Sequence, residues 1–109
     1  MADIEAQETE LHPLVNLDRV IHSPARLMMM TYLYVVESVD FIFLMRLTGL
    51  TWGNLSSHLS TLEENEYVHI EKKFVQKKSH TMVNLTEKGR QAFRGYKHLL
   101  LQVLTDLPD

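Results

Sequence analysis

Residues 40–65, DFIFLMRLTGLTWGNLSSHLSTLEEN, decide the fold of this 109-residue chain. Asp40 can accept hydrogen bonds from the free N–H groups of a helix start, and Phe41, Leu44 and Leu47 follow it three residues apart, so a short helix is predicted over 40–48. Gly49 interrupts the pattern where a residue tolerant of positive φ would end that helix. Thr51 opens a second helix over 51–65, in which Leu55, Leu59 and Leu62 form one apolar edge on an otherwise polar rod. Two short helices joined by a tight turn containing glycine make a helix-turn-helix.

The second helix carries the candidate chemistry. At about 100° per residue, Gly53, Asn54, Ser57, Ser60 and Thr61 lie opposite the leucine edge, with Ser56 and His58 flanking them. Short donors and acceptors of this kind can enter a major groove and reach base edges and phosphates. No carboxylate falls on this face before Glu63 and Glu64, and an acid there would repel phosphate.

After Glu66 the apolar period drops to two. Val68 and Ile70 alternate with His69 and Glu71, and Thr81, Val83 and Leu85 alternate with Met82 and Asn84, which predicts a hairpin with a basic tip at Gln76-Lys77-Lys78-Ser79-His80. Thr86 can cap a last helix that runs to about Leu107. Upstream, Leu14, Leu17, Val20 and Ile21 suggest a short first helix. Ser23-Pro24 is the start signal of a second, roughly Pro24 to Ser38, with Leu27, Met30, Leu33, Tyr34 and Val36 on a broad apolar face. The expected fold class is α+β: a mainly helical winged helix-turn-helix with a two-stranded β-hairpin wing and a long C-terminal helix. Residues 1–10 read as a flexible acidic tail and 11–109 as the winged helix domain, terminal dimerisation helices included.

Net charge is −3, but it is unevenly placed. Residues 1–66 hold ten acids against Arg19, Arg26 and Arg46, a balance of −7, whereas residues 67–98 hold Glu71 and Glu87 against eight bases, a balance of +6. A basic segment inside a mildly acidic chain points to a polyanionic partner for that segment. With no cysteine, disulfides, thiolate metal sites and cysteine nucleophiles are excluded together. No apolar run is long enough for a transmembrane helix. The acidic opening, with Asp3, Glu5, Glu8 and Glu10, is unlike a secretory or mitochondrial leader, so a cytoplasmic location is expected.

Three stretches, IHSPARLMMMTYL, FIFLMRLTGLTWGNLSSHLSTLEENEYVHIEKKF and VNLTEKGRQAF, taken in register over roughly residues 20–97, resemble winged-helix transcriptional regulators of the MarR and ArsR type. The resemblance implies a DNA-binding recognition helix in which Asn54, Ser56, Ser57 and His58 meet DNA; Thr51, Trp52 and Thr61 on the same helix are further candidate contacts. It likewise implies a wing in which Lys72, Lys73, Lys77 and Lys78 lie near phosphates or the minor groove, with His80 a further candidate in the wing. Trp52 is bulky where such regulators often carry a polar residue; it could stack on the sugar-phosphate backbone or pack on the preceding helix. The wing tip has no arginine, which favours phosphate contact by lysine over minor-groove reading by guanidinium.

The function expected is that of a sequence-specific transcriptional regulator. It would be a homodimer on a palindromic DNA operator, because a chain of this size offers few base contacts and specific sites usually come as two half-sites. Leu14, Leu17, Tyr96, Leu100, Val103, Leu104 and Leu107 are the candidate dimer residues, since the last helix carries more apolar side chains than one internal face needs. A small apolar effector could sit between the dimer helices and the DNA-binding core. The alternative is a winged helix that meets protein within a larger complex. No cofactor and no metal is expected: the six histidines lack paired helical spacing with carboxylates, and Met28-Met29-Met30 reads as core packing before it reads as a copper site. Adjacent Glu63 and Glu64 point apart on a helix, and no nucleophile motif or phosphate-cradling glycine loop is present, so an enzyme is not expected.

Overall fold

The computed structural model describes residues 12–109; the acidic tail read at residues 1–10 lies outside the described residues. A short 3-10 helix, His12–Asn16, is followed by α1 (Pro24–Val36), β1 (Ser38–Asp40), α2 (Phe41–Thr48), α3 (Trp52–Glu64), β2 (Val68–Val75), β3 (Lys78–Leu85) and α4 (Glu87–Thr105).

The caps stand where the sequence put them. Asp40 Oδ1 accepts from the N–H groups of Ile42 at 2.8 Å and Phe43 at 3.3 Å. Thr51 Oγ1 accepts from Asn54 N at 3.2 Å, and Thr86 Oγ1 from Gly89 N at 2.9 Å. Gly49 closes α2 at φ +71°, the left-handed conformation that costs glycine least. Ser23 departs from expectation: its side chain makes no cap bond, and the helix start rests instead on Pro24 in the first turn and on the Ser23 carbonyl, which accepts from Leu27 N at 2.7 Å.

The core gathers one face of each helix on the sheet. Leu55, Leu59 and Leu62 of α3 are all buried, together with Met29, Met30 and Leu33 of α1, Leu44 of α2, Val83 of β3 and Phe93 of α4. Burying each such side chain contributes about 1.5–3 kcal/mol relative to leaving it in water. The leucine edge therefore fixes which face of α3 turns outward. Met29 and Met30 are core residues, as the methionine run reads, whereas Met28 stays exposed.

Three parts differ from expectation. The sheet is three-stranded, in order β1-β3-β2 and antiparallel throughout, because Ser38–Asp40 pairs with β3 (Ser38↔Asn84, Val39↔Val83, Asp40↔Met82). Three residues are too few to show a period of two, and they followed helix α1 so closely that Ser38 read as its end. The hairpin is also tighter. β2 runs to Val75 and β3 starts at Lys78, leaving a two-residue tip, Gln76-Lys77, with φ of 52° and 66°. Positive φ at both positions is the geometry that matches hairpin twist, but glycine or asparagine usually supplies it, so the turn had no sequence signal. Finally, the first helix is a 3-10 turn that stops at Asn16. Asp18 Oδ1 accepts from Val20 N and Ile21 N at 2.8 and 3.1 Å, satisfying those donors within a turn.

Candidate nucleic-acid interface

The sequence of α3 turns its polar side to solvent. Its leucines bury one edge, so Gly53, Asn54, Ser57 and Ser60 are exposed, while Ser56, His58 and Thr61 are half-buried at the margins. Asn54 and Ser57 make no side-chain hydrogen bond among the described residues, leaving their donors and acceptors free. Thr51 is occupied as the cap, and Thr61 Oγ1 donates to its own helix at Ser57 O, 3.3 Å away. The exposed face carries no carboxylate until Glu63.

His58 is held from outside the helix. Arg26, at the start of α1, donates from Nη1 to His58 Nδ1 at 3.0 Å, and from Nε to the Val20 carbonyl at 2.5 Å. With Nδ1 accepting, the other ring nitrogen is the one left to meet a ligand. Arg26 also places a guanidinium beside the recognition face. Sequence reasoning missed it, since its partner lies 32 residues away and no local pattern marks the pair.

Trp52 packs on the preceding helix: its ring centroid is 4.4 Å from that of Phe41, at an interplanar angle of 55°. It remains 60% exposed, so packing leaves much of the indole in water. Phe41 and Trp52, with Ser60, Ile70 and Thr81, line an open groove between α3 and the hairpin.

The wing lysines do not form one uniform set. Lys72, Lys73, Lys77 and Lys78 are all exposed, but Lys73 Nζ lies 3.3 Å from Glu71 Oε1 whereas the other three have no ion pair among the described residues. Glu71 also accepts from Asn84 Nδ2 at 3.2 Å, which keeps it on the sheet. His80 is turned back toward the fold: its Nδ1 donates to Asp40 Oδ2 at 2.8 Å, tying the wing to the start of α2. Burial works to raise the Asp40 carboxyl, but the His80 hydrogen bond and the N–H donors of Ile42 and Phe43 outweigh it and hold the group below the ordinary carboxylate range.

The candidate dimer residues divide into two groups. Tyr96 and Val103 are buried inside the protomer, Tyr96 beside Phe93 and hydrogen-bonded at 2.8 Å to His22 Nδ1. Leu14 and Leu17 are half-buried, and Leu17 and Leu100 pack on the core. Leu101 and Leu104 at the end of α4 and Leu107 just beyond it are about half exposed.

Residues 25–104 match the profile of the winged helix DNA-binding domain family. An uncharacterised protein of Methanocaldococcus jannaschii is 34% identical over 85 residues, which is 78% of this chain and 92% of that protein. Among solved structures, a transcriptional regulator homologue from Pyrococcus horikoshii OT3 superposes with a TM-score of 0.81 at 28% identity, covering 91% of this chain and 99% of its own. Reduced AbfR bound to DNA superposes with a TM-score of 0.60 at 17% identity over 99% of this chain and 72% of its own, a likeness of fold. The winged-helix resemblance read from the sequence is thereby borne out, with a third strand added to the wing. No helix among the described residues is long and apolar enough to cross a membrane.

Proposed function

The chain belongs to the winged helix DNA-binding domain family, and from that premise we propose that it is a homodimeric, cytoplasmic transcriptional regulator. It places α3 in the major groove of a palindromic operator and rests its wing on the flanking backbone. One observation carries the reading: among the described residues, the solvent face of α3 offers free, short polar side chains without a carboxylate before Glu63, next to a hairpin whose Lys72, Lys77 and Lys78 have no ion pair. Asn54 and Ser57 read base edges, His58 positions the helix from its margin, and the lysines supply sequence-independent affinity.

Two copies pair through the exposed leucines at the end of α4 and just beyond it, which presents half-sites about 34–36 Å apart. Leu104→Glu with Leu107→Glu should give a monomer by light scattering that keeps its helical circular dichroism, because neither side chain is in the protomer core; a persisting dimer would move the interface elsewhere. A small-molecule effector acting near those helices completes the proposal, and no catalytic activity is assigned.

A second reading is favoured by one specific feature. Met28 and Val35 of α1 and Phe43 and Leu47 of α2 are exposed, and Tyr32 and Phe43 lie with ring centroids 6.1 Å apart across the two helices. Such an apolar surface would suit a winged helix that docks on protein. Selection of bound fragments from genomic DNA separates the two: enrichment of a two-fold symmetric motif supports the regulator, and no enrichment with no shift of random duplex rejects it.

A further inference from the structure

We propose that Phe74 is an apolar wedge that the wing inserts into the minor groove adjacent to the major groove held by α3. The proposal rests on the DNA-binding reading above and adds to it a residue, a groove and a preferred class of base step.

Phe74 is the most exposed large apolar side chain among the described residues, at 78%. It stands two residues before the hairpin tip and pairs with Ser79, which is too small to cover it. Nothing in the protomer's core uses it, and an uncovered aromatic near a sheet edge invites aggregation, so a partner surface is its natural counterpart. Strand alternation identifies the side on which that partner lies. Phe74 shares a face of β2 with Val68, Ile70 and Lys72. Val68 is buried, and Ile70 lines the groove it shares with Ser56 and Ser60 of α3. Phe74 is therefore on the recognition-helix side of the sheet.

Reach and charge then select the partner. Four residues of strand carry the chain about 13 Å past Ile70. Adjacent major and minor grooves are centred roughly 17 Å apart, half of a helical turn, and the phenyl ring spans the difference. Residues 72–86 contain no acid; by strand alternation Lys72 shares the face of Phe74, Lys77 sits at the tip, and Lys73 and Lys78 stand on the opposite face. An apolar ring with Lys72 on its own face and Lys77 at the tip fits a base step between two rows of phosphates better than it fits an apolar protein face. The wing lacks the arginine that reads a narrow minor groove by charge, whereas apolar side chains enter that groove by unstacking a step and bending the duplex. Unstacking is easiest at TA and CA/TG steps, so those steps are the preferred sites.

The test uses the full chain and two end-labelled duplexes, one rich in TA and CA steps and one containing only G·C pairs. Wild-type protein should bind the first duplex more tightly and bend it by about 20–90°, read by energy transfer between its ends. Phe74→Ala should weaken binding to that duplex about tenfold, on the scale of losing one aromatic–base contact, and should abolish both the bend and the preference. The slope of log K against log salt should not change, because no charge is removed. Phe74→Leu should keep most of the bend. Wild-type affinity and bend in Phe74→Ala would overturn the wedge and leave the DNA-binding reading intact. Loss of the dimer in that variant would make Phe74 a protein contact and overturn it too. Failure of the wild type to bind either duplex would overturn both.

Discussion

Replacing Lys77 and Lys78 by alanine removes two of the three wing lysines that have no ion pair among the described residues, with Lys72 the third. In a dimer that is four of six free wing charges. If all six meet phosphates, log K should fall with log salt at a slope of about −5, using about −0.9 per phosphate neutralised. The double variant should then retain a slope of about −2. Between about 50 and 200 mM salt the wild type would lose affinity on the order of a thousandfold and the variant on the order of tenfold. Lys73→Ala should change the slope least of the four single replacements, because Glu71 already offsets that charge at 3.3 Å. Fluorescence anisotropy on one random duplex, titrated at four or more salt concentrations, reads the slope directly. A double variant with the wild-type slope would mean that the wing tip points away from DNA, and a Lys73→Ala effect as large as that of Lys77→Ala would refute the argument from pairing.

Three further outcomes follow from other parts of the molecule. Asn54→Ala and Ser57→Ala should each cost roughly 1–3 kcal/mol at a selected site and little on random duplex; equal losses on both would make them backbone contacts. Gly89→Ala should lower stability by about 1–3 kcal/mol or more in a denaturant melt, because a Cβ there would lie 2.2 Å from the Tyr67 carbonyl oxygen, a backbone atom that also accepts from Thr86 N; a loss within error would refute that close approach. Burial and a hydrogen bond to Asp18 push the Tyr67 phenol up to about 12, against an ordinary value of 10.0. The fold thus favours the protonated phenol: its contribution is complete below pH 10 and is lost as pH rises from 10 to 12. Tyr67→Phe should be less stable than wild type at neutral pH, and the gap should close over that window; a constant gap would refute it.

Much of the architecture was legible because it depends on neighbours in the chain. Asp40, Thr51 and Thr86 cap helices through bonds two or three residues long, Gly49 supplies a left-handed turn, and Leu55, Leu59 and Leu62 declare the buried edge of α3. Those features place the polar face of the recognition helix, and the run of lysines places the basic wing. The two-residue hairpin tip was not legible, since Gln76 and Lys77 are not residues that favour positive φ. The short strand β1 was not legible either, because its three residues become a strand only by pairing with β3 some 45 positions on.

The sequence by itself therefore determined the main helices, the hairpin, their order and the separation of an acidic N-terminal part from a basic wing, all consequences of local periodicity and composition. Only the tertiary structure decided what each functional side chain is free to do. It engages His58 with Arg26 and His80 with Asp40, sets Tyr96 inside the protomer beside His22, offsets Lys73 with Glu71, and leaves Phe74 uncovered. Except for the Lys73 pair, these outcomes depend on which surfaces meet when distant segments pack. Because hydrogen bonds and burial act across space, residues dozens of positions apart become partners with no trace in the spacing of either.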